Sequence, residues 1–207
     1  MKKEKLFEKS CLIVTWVIRL IIVLTAVIRM MMHQYDTLFI LVITLVITFY
    51  RPILKKWFKI ELPTLLDFSI ILFIFGTQYL GSAMDVYGKW HAWDTILHGL
   101  SGILFFYIGL TLLEEVRKKM GGEKIHPVIQ ILFGFFFVLA VGVVWEIFEF
   151  IADRYLGANM QRAIGEQGQN AILDTMTDLI AAFIGASVTC IYQAIAYRKR
   201  KKEGNVK

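Results

Sequence analysis

Six apolar runs dominate this chain and leave it few ways to fold. An α-helix rises 1.5 Å per residue, so about 20 apolar residues cross a hydrocarbon layer of about 30 Å. With 57% apolar and only 19% charged residues, the 207-residue chain is too apolar for a water-soluble domain of this size. We therefore predict an all-α, polytopic membrane protein with about six transmembrane helices, at approximately 11–32, 35–54, 62–80, 94–113, 127–149 and 172–196.

The second run is the weakest candidate for a full crossing. Its uninterrupted apolar part, from Thr37 to Tyr50, suits a partial or tilted span as well as a complete one. The first run is typical of a retained anchor, because Arg19 interrupts it and no small-residue cleavage site follows. All connections but one are short, so we expect a single transmembrane domain over residues 1–207.

Most of the 23 basic residues lie at one set of run ends. They precede the first run, separate the second from the third and the fourth from the fifth, and form the carboxyl-terminal tail. Cytoplasmic loops carry such an excess, so both termini are predicted to be cytoplasmic and the number of spans even. The net charge of +6 is therefore a topology signal and not a sign of nucleic-acid binding. This pattern is typical of a multi-pass membrane protein in contact with membrane lipids.

The opposite run ends are acidic. Consecutive spans alternate in direction, so the start of the fourth, the end of the fifth and the start of the sixth meet at the same outer surface. Asp94 and His98 are four residues apart and share one helix face. Ionisable groups are costly at the membrane boundary, so several at one depth indicate a functional site. The candidate metal ligands are Asp94, His98, Glu146, Glu149, Asp174 and Asp178.

Grouped carboxylates cannot all stay ionised without a cation or shared protons. Oxygen ligands with one imidazole suit Mg²⁺, Mn²⁺, Zn²⁺ or Ca²⁺, so a divalent metal ion is a candidate cofactor, and a proton-sharing network explains the same residues. In an enzyme, His98 or Glu146 would be the catalytic general base. Structural interpretations also exist: Asp94 and Asp174 as helix caps, His98 as a hydrogen-bonded core residue, and Glu149 and Asp153 as a solvated helix end.

Other residues indicate structural roles. Arg19 and Asp67 both lie in the inner half of the membrane and predict an intramembrane ion pair, because unpaired charges are costly there. Small residues between Ala181 and Ala186 offer a face for close helix packing. The stretch 155–171 is long and polar, and either closes over the membrane surface as a lid or serves as a mobile connector.

Four motifs resemble those of the YjdF-like family of bacterial integral membrane proteins. They are Trp93–Gly99 (WDTILHG), Trp145–Glu149 (WEIFE), 165–168 (GEQG) and Asp174–Asp178 (DTMTD). The resemblance covers roughly residues 76–187 and implies an architecture and a motif set, but no substrate. The order Asp-x-x-x-His, Glu, Asp is more remotely similar to VanZ-like proteins, which implies a cell-envelope role. Thr95 stands where Arg or Lys is expected from this resemblance, which leaves the site more negative and favours a cation.

Three functions are open from the sequence. The first is an enzyme at the outer leaflet that acts, with a divalent metal, on a lipid or a lipid-linked cell-envelope precursor. The second is transport or sensing of a small cation or a proton-coupled solute. The third is a non-catalytic envelope partner whose outer loop is the contact surface. No chain of polar residues continues through the inner half of spans four to six, which weighs against transport.

Overall fold

The computed structural model describes residues 2–90, 92–161 and 170–203. In these ranges all regular secondary structure is helical, as predicted. Two of the segments, Leu54–Phe58 and Phe75–Ala83, are π-helical. The α-helices of the described ranges are α1 (Lys2–Met31), α2 (Leu38–Ile47), α3 (Tyr50–Ile53), α4 (Thr64–Ile74), α5 (Val86–Lys89), α6 (Ala92–Lys119), α7 (Pro127–Leu156) and α8 (Ala171–Lys202).

Within the described residues, five helical stretches are long and apolar enough to cross a membrane. They are α1, α4 with its π-helical continuation, α6, α7 and α8. The second predicted span is broken, because α2 and the helix from Tyr50 to Phe58 meet at a bend of 44°. Counted as one span, this pair raises the number to six. The all-α polytopic architecture is confirmed, whereas the side of the membrane on which each terminus lies stays a prediction.

The helices expose apolar side chains over most of their length. Examples on α1, α7 and α8 are Leu24, Phe136 and Ile184, whose side chains are each more than half exposed. Exposing so much apolar surface is costly in water but not in lipid. The exposed faces of these helices therefore fit a membrane location.

Two compact units divide the chain, Met1–Leu97 and His98–Lys207, and a single domain over the whole chain stays a prediction. The first unit is built on α1, α2, α4 and the π-helical segment that continues α4. Tyr79, in that π-helical segment, is buried, and its hydroxyl group lies 2.9 Å from that of Thr25 on α1. The buried core of this unit is Ile18, Ile22, Leu41, Ile71, Tyr79 and Ala83.

The second unit consists of α6 from His98 onwards, α7 and α8. Its buried core comprises Phe106, Val138, Ala182 and Ala186, one or two side chains from each helix. Gly185 of α8 packs directly on the backbone of α6, because a Cβ atom there would lie 3.1 Å from the Gly99 carbonyl carbon and 3.3 Å from the Gly102 Cα. The small-residue face of the last run therefore brings α6 and α8 together.

Arg19 and Asp67 interact electrostatically but do not form the direct ion pair that the sequence predicts. Arg19 instead donates hydrogen bonds to the Thr48 hydroxyl group (3.1 Å) and carbonyl oxygen (2.7 Å), at the point where α2 ends. The Asp67 carboxylate accepts a hydrogen bond from Tyr50 (2.7 Å) and lies 3.4 Å from Arg51. The physical reason is the helix break, which provides a backbone acceptor for Arg19 and brings Tyr50 and Arg51 to Asp67.

Arg19→Leu is expected to destabilise the protein through the Thr48 contact. A charged donor that satisfies a buried acceptor contributes about 1.5–3 kcal/mol. In a double-mutant cycle read from thermal unfolding in detergent, Arg19→Leu should couple to Thr48→Val. Combined with Asp67→Asn it should be closer to additive. Stronger coupling to Asp67 than to Thr48 would contradict this assignment.

Candidate metal centre at the acidic helix ends

Three of the six predicted ligands come together on α6 and α8. The Nε2 atom of His98 lies 3.8 Å from Oδ2 of Asp178. The division between the two compact units falls inside α6, but α6 is one continuous helix, which holds Asp94 one turn before His98. Asp94, His98 and Asp178 each offer one ligand atom, and these three atoms all lie within 4.8 Å of one another.

The three side chains are withdrawn from the surface. Asp94 and Asp178 are 7% and 2% exposed, and the His98 side chain is 14% exposed. Two carboxylates buried beside one imidazole place negative charge where solvent screens it poorly. Protonated His98, shared protons or a bound cation would each balance that charge.

The local sequence explains why these residues meet. Asn170 caps α8 by accepting a hydrogen bond from the Ile172 amide (2.9 Å), so Asp178 lies about two turns into the helix. The close approach of α6 and α8 at Gly102 and Gly185 then follows one turn after His98 and two turns after Asp178. Because the two backbones nearly touch there, the polar side chains just before the contact face each other.

Glu146, Glu149 and Asp174 are also buried, at 5%, 6% and 4% exposure, but lie outside this group of three. The Glu149 carboxylate accepts a hydrogen bond from the indole nitrogen of Trp145 (2.7 Å), one turn earlier on α7. The interpretation of Glu149 as a solvated helix end is therefore wrong. The structure thus separates a compact group on α6 and α8 from further buried carboxylates on α7 and α8.

The alternative in which Asp174 caps α8 is also wrong, because Asn170 is the cap residue and Asp174 is itself buried in the first turn. For α6, the residue before Ala92 lies outside the described ranges, and Asp94 is in the first helical turn. Capping therefore does not account for Asp174, and burial gives both aspartates an environment that a surface cap would not have.

Sequence reasoning singled out the polar stretch after α7 but did not predict the contacts that its first residues make. Asp153 accepts hydrogen bonds from the backbone amides of Met160 (2.7 Å) and Gln161 (2.9 Å), and so ties the chain back to the helix end. The buried Gln161 side chain then donates to the Thr175 hydroxyl group of α8 (2.9 Å). The only signal in the sequence was the high density of amides after Gly157. The 165–168 motif and most of the proposed lid lie outside the described residues.

The donor set suits a divalent metal ion. Ligands about 2.1 Å from a metal lie about 3 Å apart when adjacent and about 4.2 Å apart when opposite. The 3.8 Å between His98 and Asp178 falls within that range, and the ligand atom of Asp94 lies within 4.8 Å of both. Two carboxylates and one imidazole are ligands for Mn²⁺, Zn²⁺ and Mg²⁺, and three protein ligands leave coordination positions open for water or substrate.

Comparisons with known proteins agree with the membrane architecture. An uncharacterized protein of Thermotoga maritima is 30% identical to this chain over 145 residues. The match covers 68% of this chain and 66% of that relative's length. No solved structure matches the chain. The model of one family, described as "Predicted membrane protein (DUF2238)", matches residues 13–200. Because this match covers most of the sequence, the chain belongs to the DUF2238 family of predicted membrane proteins.

Proposed function

We propose that this protein binds a divalent metal ion through Asp94, His98 and Asp178 and uses it to modify a lipid or another cell-envelope component. The observation that carries the proposal is the convergence of three ligand atoms, from two buried aspartates and one partly buried histidine on two helices, within 4.8 Å. Buried charged groups in a membrane helix are expensive and are kept mainly where they act. A purely structural role would be served as well by apolar side chains of similar size.

The location of the site supports a substrate in the lipid layer. The group lies at the acidic ends of α6 and α8, and basic residues occupy the opposite ends. The positive-inside pattern assigns the acidic ends to the outer leaflet of a bacterial cell membrane, with both termini in the cytoplasm. At that depth the reactive part of a lipid is its headgroup. The resemblance to the YjdF-like family fits this arrangement, and the remoter one to VanZ-like proteins points to the cell envelope.

In this proposal the residues have separate tasks. Asp94, His98 and Asp178 would hold the ion, with both aspartates buried and His98 partly buried. A bound divalent ion supplies Lewis-acid polarisation of a phosphoryl or carbonyl oxygen and a nucleophilic water at neutral pH. Glu146, buried on α7, would be the general base that accepts a proton from the attacking water. Because Glu146 lies outside the group of three ligands, its loss should impair turnover and leave metal binding intact.

The test is conversion of lipid by the reconstituted protein. Proteoliposomes made from a bacterial total lipid extract would be incubated with Mn²⁺, Zn²⁺ or Mg²⁺ and followed by lipid mass spectrometry. The wild type should change one lipid class over time, and chelation should stop the change. Glu146→Gln should slow it by about 100-fold or more, the usual contribution of a general base, while its metal content stays that of the wild type.

His33→Asn is the matched control for His98→Ala. His33 is an exposed histidine outside the site, in a left-handed conformation that Asn tolerates. The control should retain conversion, and His98→Ala should abolish it together with the metal. If the wild-type protein holds metal yet leaves every lipid class unchanged, the proposed reaction is wrong.

Cation or proton-coupled transport is the second candidate. The observation in its favour is that Glu146, Glu149 and Asp174 are buried in addition to the two aspartates of the site, which exceeds the need of one divalent ion. Such a set can share protons or pass a cation between carboxylates. Flux of Mn²⁺ or protons into vesicles, abolished by Glu149→Gln, would place transport ahead of lipid chemistry.

A further inference from the structure

A cavity of about 130 Å³ lies at the basic ends of the three long helices of the second unit, away from the candidate metal centre. It opens where the end of α6, the start of α7 and the end of α8 meet. Its wall combines apolar and polar side chains. The residues that matter for its chemistry are Leu110, Gln130, Ile131, Gln193, Tyr197 and Arg200.

A hydrogen-bond chain leaves the Tyr197 hydroxyl group able to donate. His126 caps α7 by accepting, at Nδ1, a hydrogen bond from the Val128 amide (3.3 Å). In a neutral imidazole the proton must then be on Nε2, which lies 3.4 Å from the Tyr197 hydroxyl oxygen. Because His126 donates to that oxygen, the hydroxyl hydrogen of Tyr197 is available to an acceptor in the cavity.

Arg200 supplies the positive charge at the cavity rim. It donates through Nε to the Ala196 carbonyl oxygen (3.3 Å), which fixes the side chain along α8. Among the described residues no other partner engages its guanidinium group, so both terminal nitrogens can bind a ligand. The planar fork of a guanidinium group matches the oxygen atoms of a phosphate.

The two glutamines of the cavity wall both use their amide nitrogen in a hydrogen bond to the protein. Gln130 donates its amide hydrogen to the Ile125 carbonyl oxygen (2.8 Å), and Gln193 donates to the Tyr107 hydroxyl group (3.1 Å). Each amide nitrogen is thereby engaged, and each amide oxygen remains as an acceptor. The cavity thus offers a cation and a phenol as donors and two amide oxygens as acceptors, next to the apolar side chains of Leu110 and Ile131.

We propose that this cavity binds one anionic phospholipid with a hydroxylated headgroup, of the phosphatidylglycerol class. Arg200 and Tyr197 bind the phosphate, the amide oxygens of Gln130 and Gln193 accept hydrogen bonds from the headgroup hydroxyls, and an acyl chain follows Leu110 and Ile131. The surrounding charge is complementary, since the last turn of α8 carries Lys199, Arg200, Lys201 and Lys202. A soluble phosphate would not use the apolar wall, which belongs to helices of membrane-spanning length.

The test is lipid retention by the full-length protein in detergent, measured by native mass spectrometry with added phosphatidylglycerol or phosphatidylcholine. Arg200→Gln should weaken phosphatidylglycerol binding roughly tenfold, about 1.4 kcal/mol, and leave the weak phosphatidylcholine signal unchanged. Lys201→Gln is the matched control, because it removes the same charge from the next residue, which does not line the cavity. It should retain binding within about twofold. Tyr197→Phe should weaken binding severalfold at constant net charge.

Two results would overturn the proposal. Equal losses in Arg200→Gln and Lys201→Gln, with none in Tyr197→Phe, would show attraction to diffuse surface charge and no defined site. Full competition by glycerol phosphate at concentrations similar to those of the lipid would show a site for soluble anions. If Arg200→Gln failed to fold, Tyr197→Phe, which preserves the ring and removes only the hydroxyl group, would decide the matter.

Discussion

Asp178→Asn is expected to lower divalent-metal affinity by at least about 100-fold, whereas Asp174→Asn is expected to leave it nearly unchanged. The two aspartates form a closely matched pair. They lie one turn apart on α8 and are both buried, at 2% and 4% exposure. Only Asp178 belongs to the group with Asp94 and His98. Loss of a residue that only supports a metal ligand costs 10–100-fold in affinity, so loss of a ligand should cost more.

The measurement is metal content of the detergent-purified protein by mass spectrometry, followed by titration of Mn²⁺ and Zn²⁺ into the metal-free protein. The wild type and Asp174→Asn should hold about one ion per chain, and Asp178→Asn and the double variant His98→Ala/Asp178→Asn should hold none. Affinity should fall as the pH is lowered, because protons compete for the same ligand atoms.

Either of two outcomes would contradict the metal centre. Equal losses in Asp174→Asn and Asp178→Asn would indicate a diffuse acidic cluster that attracts cations without a defined site. Absence of metal from the folded wild type, even after titration, would favour a proton-sharing network of carboxylates. Proton-coupled transport would then become the leading function.

The sequence was sufficient to predict the architecture and the helix ends at which the site lies. Run length and the alternation of helix direction placed Asp94, His98 and Asp178 at one end of their helices, and the four-residue spacing placed the first two on one face. The sequence does not show which of the six candidate ligands lie close enough together to form one site. Rotation of each helix about its own axis depends on its contacts, here the close approach at Gly102 and Gly185.

The errors in the first unit and at the helix ends have a common cause. Arg19 was assigned to Asp67 because both are charged and lie at similar depth. Its actual partner, the carbonyl oxygen of Thr48, becomes an acceptor only because α2 ends there. Likewise, Asp174 is not the cap residue of α8, because the helix begins about one turn earlier and is capped by Asn170. A sequence does not show where a helix ends or which backbone carbonyl is left without a helical partner. Charged side chains are therefore paired with one another even where a backbone oxygen is the actual partner.

Gly185→Ala is expected to destabilise the second unit and weaken the metal centre together. The added methyl group would lie 3.1 Å from the Gly99 carbonyl carbon and 3.3 Å from the Gly102 Cα, and closer still to the Gly99 carbonyl oxygen. These are backbone atoms of α6 and cannot rotate away, so the helices must separate. Overpacking of this kind costs about 1–3 kcal/mol or more. Separation would also move Asp178 away from His98, so metal affinity should fall although no ligand has changed.

Gly99→Ala is the matched control on the facing helix. A Cβ atom there would have the Ala181 carbonyl oxygen as its nearest neighbour, at 3.8 Å, which is ordinary van der Waals contact. Replacing a helical glycine with alanine stabilises by up to about 1 kcal/mol where space permits. Thermal unfolding in detergent, with and without added metal, should therefore show a large loss for Gly185→Ala and little change for Gly99→Ala.

Comparing the unfolding temperature with the metal affinity shows whether helix packing positions the metal ligands. If Gly185→Ala lowers the unfolding temperature and the metal affinity in parallel, the contact between α6 and α8 is what sets the distance between His98 and Asp178. A variant that unfolds early but binds metal like the wild type would mean that the ligands are positioned by another contact. A variant identical to the wild type in both would contradict the close approach of the two backbones, on which the geometry of the centre depends.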